Sequence, residues 1–333
     1  MNYDTYARAA GCQLPLPSIR LPLELKQMGT AENCGHRSGW RYVGDELRSV
    51  HRVDGFLLDD FVERTFQRQA DATPWLEPWV GIFHHPPNLP AWLDRSALPE
   101  TYIASPAFQK SLPNLKGAVA LSGYLGDWLQ HQLKVPVLVL KHPSEIPSLS
   151  FSLEEWRRAP FKRLVQVGWY ARNYRGIYQI RVPAEFEKLH LLQDRPWVRE
   201  AHARSDLFSP YRSRPEHGTV DLVTRLPDLQ YDELLARSIV FGEYFDVSAS
   251  NAVIECIARN TPIIVNRHPA LIEYLGDDYP LFYDDIGEAF DLLSNPTHVE
   301  AAYESMRSME KSWLDAHRFG YEIRHFIGSV CGT

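Results

Sequence analysis

The feature that most constrains the fold is a strand–helix–strand pattern over residues 116–143, KGAVALSGYLGDWLQHQLKVPVLVLKHP. Residues 119–121 form a short apolar strand, and Ser122 is a good N-cap for a helix that runs to Gln132. Residues 137–140 form the next strand. Two strands joined by a helix pair in parallel, so the pattern predicts a βαβ unit within a parallel sheet.

The same alternation occurs on both sides of a segment rich in Pro and Ser, residues 143–156, which suits a linker. The predicted strands are 80–83 before it and 163–167, 222–226, 239–242 and 263–266 after it, with helices at 231–237 and 300–317. Two such series predict an α/β chain with two Rossmann-like, doubly wound domains that face each other across a cleft. The predicted domains are residues 1–145 and 155–315, with a terminal segment at 316–333.

The composition argues against several classes of protein. A net charge of −7 over 333 residues does not suit a broad nucleic-acid-binding surface. The four cysteines have no zinc-site spacing, and no signal peptide or membrane-length apolar run is evident, so we expect a cytoplasmic protein. Dinucleotide, P-loop and hydrolase-elbow motifs do not occur. No Asp-x-Asp pair occurs, so we expect no metal site.

Residues 241–276, FGEYFDVSASNAVIECIARNTPIIVNRHPALIEYLG, contain the most specific local pattern. A helix capped by Ser250 would end at Asn260, because Pro262 prevents its continuation. The unpaired N–H groups at the start of a helix attract anions, and the small residues at 248–252 would let a phosphate come close. Glu255, just past the first turn, could accept hydrogen bonds from the hydroxyls of a ligand.

This segment resembles the carboxyl-terminal nucleotide-sugar motif of the GT-B glycosyltransferases, especially the retaining, family-4-like bacterial group. The family pattern is an acid, seven residues, a Glu, Gly-Thr-Pro-Val-Ile and a loop that ends in Glu. The resemblance implies that Glu255 binds the ribose and that Ser250, Asn251 and Ala252 hold the diphosphate. Asn260 stands where the family has Gly.

The first acid of the family motif would fall on Val247 in this sequence. In the family this acid contacts the hydroxyls of the donor sugar. Either Glu243 or Asp246 could replace it after a local shift. Glu243 is therefore a candidate catalytic residue, and the choice between the two acids stays open.

The resemblance also assigns roles to residues outside the motif. After the strand at 163–167, Gly168 forms a turn, and Arg172 and Arg175 would neutralise the departing diphosphate in the absence of a metal. In the loop TRLPD at 224–228, main-chain groups of Arg225 and Leu226 would bind the base.

The resemblance places two further groups on the N-terminal side of the cleft. In the family a histidine there contacts the donor sugar near its anomeric carbon, and His84 and His85, with Asn88 beside them, are the candidates. Adjacent side chains of an extended backbone point in opposite directions, so only one of these histidines would face a ligand. Ser38 and Gly39 would face the diphosphate and the acceptor.

The function implied is transfer of a hexose such as glucose from a UDP-sugar to a growing glycan or a lipid-linked saccharide, as in bacterial polysaccharide biosynthesis. The reaction would be metal-independent and retaining, with no cofactor. The domain at 1–145 would bind the acceptor, the domain at 155–315 the nucleotide sugar, and the C-terminal helix would pack back on the N-terminal domain. A lipid-linked acceptor would bring the protein to the inner face of the membrane.

Two alternatives stay open. A GT-B epimerase or an inverting transferase would need a general base, for which Asp59, Asp60 and His84 are candidates. A non-catalytic protein that binds nucleotide sugars or glycans is compatible with Val247 in the place of the first acid.

Overall fold

The computed structural model describes residues 16–22, 40–67, 73–192 and 194–331. These residues form two parallel β-sheets, one of five strands in the N-terminal half and one of six in the C-terminal half. Helices flank both sheets, so each half of the chain is an α/β layer structure, as predicted.

The five-stranded sheet has the order β1-β2-β3-β4-β5. Its strands are Ile19–Arg20 (β1), Phe56–Asp59 (β2), Trp79–Phe83 (β3), Leu115–Ala120 (β4) and Val137–Val139 (β5). The helices of this half are Trp40–Ser49 (α1), Val62–Phe66 (α2), Ala91–Asp94 (α3), Pro99–Ile103 (α4), Pro106–Ser111 (α5) and Gly123–Leu133 (α6). The hydroxyl of Ser122 accepts the N–H of Leu125 at 3.4 Å, which confirms the predicted cap of α6.

The six-stranded sheet has the order β11-β10-β9-β6-β7-β8. Its strands are Lys162–Val167 (β6), Phe186–Leu191 (β7), Val220–Val223 (β8), Ile239–Gly242 (β9), Ile263–Asn266 (β10) and Phe282–Tyr283 (β11). The helices are Leu153–Arg158 (α7), Gly176–Gln179 (α8), Pro196–Phe208 (α9), Asp228–Ala236 (α10), Asn251–Arg259 (α11), Pro269–Leu275 (α12), Glu288–Ser294 (α13), Pro296–Ser308 (α14) and Ala316–Cys331 (α15).

The segment from β9 to β10 forms as the sequence predicts. Helix α11 spans the predicted residues, and Asn260 ends it in the left-handed conformation, with φ of 59°. Asn tolerates this conformation better than most residues, and Pro262 then prevents a further turn.

The prediction of one helix over residues 300–317 is wrong. Helix α14 ends at Ser308, a short 3-10 turn follows at Ser312–Leu314, and α15 begins at Ala316. The Lys311 ammonium donates to the Met306 carbonyl in the last turn of α14, at 2.6 Å. A cation at this position stabilises a helix end.

One other prediction needs correction, and two elements lack a prediction. The strand expected at 222–226 lies earlier, at Val220–Val223. Strand β7 and helix α9 were not predicted at all.

Helix α15 packs on the N-terminal sheet, so the expected return of the C-terminal helix is confirmed. Phe319, Ile323 and Ile327 share a core with residues of α1 and β4. Gly117 in β4 lets the helix approach closely, since a Cβ there would lie 2.7 Å from the ring of Phe326.

Candidate functional site

The strand order of the C-terminal sheet reverses between β6 and β9. The chain runs outward through β6, β7 and β8, and β9 then pairs with the other side of β6. Ligands of doubly wound sheets bind beyond the carboxyl ends of the strands at such a switch point. Gly168, with φ of 74°, follows β6 there, and Glu243 follows β9.

Arg172 lies at this switch point. Its guanidinium donates to the Val167 carbonyl and to the Tyr170 carbonyl at 3.2 Å, and it stacks 4.9 Å from the ring of Tyr244. In the described parts of the chain, no carboxylate forms an ion pair with it. An arginine held by carbonyl oxygens can still attract a phosphate.

Arg175 has a different environment. Its guanidinium pairs with Asp206 at 3.1 Å and with Glu216. Two carboxylates therefore offset the charge of Arg175, which makes it a weaker partner for a diphosphate than Arg172.

Glu243 is also fully engaged. One of its oxygens accepts Arg214 at 2.6 Å, and the other accepts the side-chain amide of Asn173 at 2.7 Å. Arg214 in turn stacks 3.8 Å from the ring of Tyr211. Glu243 is thus close to the switch point, but it is buried and each of its oxygens already has a donor.

The start of α11 follows the switch-point strand β9. Ser250 is the N-cap residue, but its hydroxyl lies 2.6 Å from that of Tyr244 and does not cap the helix N–H groups. Asn251 is exposed and Ala252 is buried. Uncapped N–H groups at a helix start are available to an anion.

Glu255 is fully buried, and the hydroxyl of Tyr231 donates to its Oε2 atom. Tyr231 lies on α10, directly after the loop that contains Arg225 and Leu226. The structure thus brings Glu255 close to the predicted base-binding loop. Arg225 is exposed and Leu226 is half-buried. A ribose could reach Glu255 only if Tyr231 or its neighbours moved.

The carboxyl ends of β2 and β3 form the N-terminal side of the cleft. Asp59 and Asp60 follow each other at the end of β2, and both are fully buried. Burial, and then the neighbouring Asp60, raise the pKa of Asp59 to about 6. Asp60 accepts the indole N–H of Trp40 at 2.7 Å and pairs with Arg64 at 2.6 Å.

The two histidines after β3 point in different directions. His84 stacks on Phe61 with ring centroids 4.0 Å apart, and its Nε2 atom lies 3.0 Å from the Asp60 carbonyl. A carbonyl only accepts, so Nε2 carries the proton and Nδ1 the lone pair. Burial lowers the pKa of His84, so the imidazole is neutral at pH 7. The Nδ1 atom of His85 lies 3.0 Å from the carbonyl of Ala97.

Asp246 joins the two halves of the chain. Its carboxylate accepts the backbone N–H of Asn88 at 2.5 Å and lies 2.8 Å from Nε2 of His268. The Asn88 side chain also donates to the hydroxyl of Tyr124 at 2.6 Å. Asp246 is 1% exposed, so in this arrangement it bridges the domains and is not open to a sugar.

The sequence did not predict that Arg214 pairs with Glu243 or that Tyr231 binds Glu255. It also did not predict that Asp246 bridges the two halves of the chain. No local pattern identifies them, because each partner is more than 20 residues away along the chain. The predictions for Ser38 and Gly39 lie outside the described residues.

Two surface cavities lie away from this cleft, on the C-terminal sheet. One of about 420 Å³ borders Arg181 and the beginning of β7, and one of about 300 Å³ lies between β7, β8 and α10. Within the described ranges, no group of three or more His, Cys, Asp or Glu side chains could hold a metal ion. No helix among the same residues has the length and apolar character needed to cross a membrane.

Fold and cleft together define a protein of GT-B architecture, with two Rossmann-like domains. Similar solved structures include sucrose-phosphate synthase from Thermosynechococcus elongatus (TM-score 0.56, 12% identity, 82% of this chain and 74% of that chain). WaaG, a glycosyltransferase involved in lipopolysaccharide biosynthesis, has a TM-score of 0.53 and 14% identity over 86% of this chain and 81% of that chain.

Anabaena HepE in complex with UDP and glucose is similar as well, with a TM-score of 0.55 and 10% identity over 76% of this chain and 72% of that chain. No family model and no curated protein sequence matches this chain. At these identities the structural similarity shows the fold, and the predicted fold class is thereby confirmed.

Proposed function

We propose that this protein is a glycosyltransferase that moves a hexose from a UDP-sugar to a glycan or lipid-linked saccharide. The observation that carries the proposal is Arg172, a cation without a carboxylate partner in the described chain, at the switch point of a GT-B fold. Similar folds include one solved with UDP and glucose, and one that acts in lipopolysaccharide biosynthesis.

In this proposal Arg172 and the N–H groups at the start of α11 stabilise the departing diphosphate. Gly168 leaves room beside Arg172, and the loop at Arg225 and Leu226 takes the base. Pre-oriented cations and N–H groups are effective where charge develops in a transition state. Metal independence and retention of configuration are further parts of the proposal, as is a place at the cytoplasmic face of a membrane.

Glu255 would bind the ribose after Tyr231 releases it. Arg175 and Glu243 have lesser roles in this proposal, because other side chains already engage both. His84 would face the sugar through its Nδ1 lone pair.

The test is a thermal-shift screen of the full chain with UDP, ADP, GDP and their sugars, followed by assays of hydrolysis and transfer. A nucleotide at 100 times its Kd should stabilise the fold by about 2.7 kcal/mol. Arg172→Ala should reduce the shift with UDP, whereas Arg199→Ala, which removes an exposed arginine paired with Asp194, should not. Binding of UDP-sugars without hydrolysis or transfer to any acceptor would contradict the proposed enzymatic activity. It would favour a non-catalytic protein that binds nucleotide sugars. No shift with UDP would contradict the choice of donor.

A further inference from the structure

The backbone of the loop from His84 to Asn88 donates hydrogen bonds to one buried carboxylate. Glu63, in the first turn of α2, is fully buried. Its Oε1 atom accepts the backbone N–H groups of His84 and His85, both at 2.8 Å, and the hydroxyl of Tyr102 at 3.2 Å. Three donors thus converge on one oxygen atom, and two of them belong to the loop.

The other oxygen of Glu63, Oε2, has no donor within the described residues. A buried carboxylate oxygen without a partner costs free energy. Burial alone would raise the pKa of this carboxyl, but the neighbouring His85 and His84 and their N–H groups hold the pKa below its ordinary value. Glu63 is therefore ionised at neutral pH, and its hydrogen bonds are committed to the loop and to Tyr102.

The far end of the same loop contacts the other domain. Pro86 and Pro87 follow the two histidines and have fixed φ angles, so the segment has little freedom between its ends. The next residue, Asn88, donates its N–H to Asp246 in the C-terminal half, and its side chain bonds to Tyr124. A shift at the root of the loop would therefore move its tip.

We propose that Glu63 is a positioning residue of the cleft: its carboxylate fixes the backbone of residues 84–88, and so sets both the place of the His84 imidazole and the contact between Asn88 and Asp246. The consequence for catalysis rests on the proposed function. The structural part does not, because it concerns only the loop and the closure of the two domains.

The first experiment is amide hydrogen exchange on full-length Glu63→Gln, a variant of nearly the same shape without the charge. Hydrogen bonds to charged acceptors are about twice as strong as neutral ones, so exchange at His84 and His85 should accelerate at least about fivefold. Exchange in β4 should not change. Glu100→Gln, an exposed acid on α4, is the matched control and should leave residues 84–88 as in the wild type.

The second experiment asks whether the effect reaches the interface between the domains. Small-angle scattering of Glu63→Gln, Asp246→Asn and the double variant should show the same opening in all three, because both positions act on one contact. If the opening of the double variant equals the sum of the openings of the two single variants, the two residues act independently and the proposal is overturned. A lowered melting temperature with unchanged exchange at 84–88 would also overturn it, because Glu63 would then be an ordinary core residue.

A third measurement separates this inference from the proposed function. If the protein is a UDP-sugar transferase, Glu63→Gln should leave the Kd of UDP unchanged, because the nucleotide belongs to the other domain, and should lower kcat. A loss of UDP affinity equal to the loss of kcat would overturn the positioning role. If no nucleotide binds, the proposed function fails, whereas the exchange and scattering results still decide the role of Glu63.

Discussion

The buried carboxylates of the two halves of the described chain include some that pair with arginine, as Asp60 does with Arg64, and one, Asp59, that does not. On the C-terminal side, Asp232 pairs with the buried Arg259, and Glu243 pairs with Arg214. On the N-terminal side, Asp59 has neutral donors instead, the indole N–H of Trp75 at 2.9 Å and the N–H of Phe61 at 3.2 Å.

The difference shows what each arrangement does. Loss of the partner of a paired carboxylate leaves a buried charge uncompensated. At Asp59, burial and the neighbouring Asp60 raise the pKa to about 6 despite the hydrogen bond from Trp75, so this carboxyl changes its protonation near that pH. The carboxylates paired with arginine should therefore respond strongly to loss of the partner, and Asp59 should respond to pH.

The largest effect on stability is expected at the buried ion pair. Asp232→Ala would leave Arg259 buried without its carboxylate, which should lower the free energy of unfolding by about 3–5 kcal/mol. Urea unfolding followed by fluorescence measures this loss. Asp228→Ala, at an exposed acid of the same helix, should change stability by less than about 0.5 kcal/mol. Equal losses in the two variants would contradict a special role for the pair.

Under the proposed function, Arg172→Ala should have the largest effect on catalysis. Removal of one pre-oriented donor to a developing charge lowers kcat by roughly 100- to 1000-fold, about 3–4 kcal/mol. Arg175→Ala should lower kcat by less than about tenfold, because Asp206 and Glu216 already offset that charge. Steady-state kinetics with the donor found by thermal shift would decide. A greater loss in Arg175→Ala would reverse the assignment.

The pH dependence of stability tests the N-terminal side. The pKa of Asp59 rises from 3.8 to about 6 on folding, so the folded state binds the extra proton between these values. Stability should therefore fall as pH rises from about 4 to 6, by at most about 3 kcal/mol. Asp59→Asn should remove this fall and retain the bond to Trp75. A wild-type stability that rises over this range in step with Asp59→Asn would show that Asp59 does not titrate there.

The smallest effect on stability is expected at Ala171, the residue before Arg172. Ala171 has φ of 62°, a conformation that is strained for alanine. Ala171→Gly removes the strain but also increases the entropy of the unfolded chain, so the net change in stability should be below about 1 kcal/mol. Thermal unfolding measures it. A clear destabilisation would mean that packing of the Ala171 methyl group outweighs the strain.

Much of the C-terminal fold could be predicted because its signals are local. Strand β9, helix α11 and strand β10 are adjacent in sequence, and small polar residues and Asn-Thr-Pro separate them. The break between α14 and α15, residues 309–315, contains no Pro or Gly from which it could be predicted. Lys311 ends α14 and also bonds to Asn260, which is distant in sequence.

The candidate site likewise has parts that the sequence predicts and parts that depend on contacts between distant residues. The sequence pattern identifies Gly168, Arg172 and the start of α11 as one site, and these residues do lie around the switch point or directly after it. Their functional roles remain predictions. Only the folded chain shows that Asp246 contacts Asn88, because the pair is 158 residues apart. The burial of Glu255 against Tyr231 also depends on how two helices pack.

The return of α15 to the N-terminal domain means that the chain crosses between the domains twice. The two crossings run side by side, since the N–H of Ser144 in the first donates to the carbonyl of Leu314 in the second at 3.1 Å. A double covalent tether of this kind permits rotation about a single axis but resists sliding and twisting. The cleft should therefore open by a hinge rotation about the paired crossings, and the residues of these two crossings would set how far it opens.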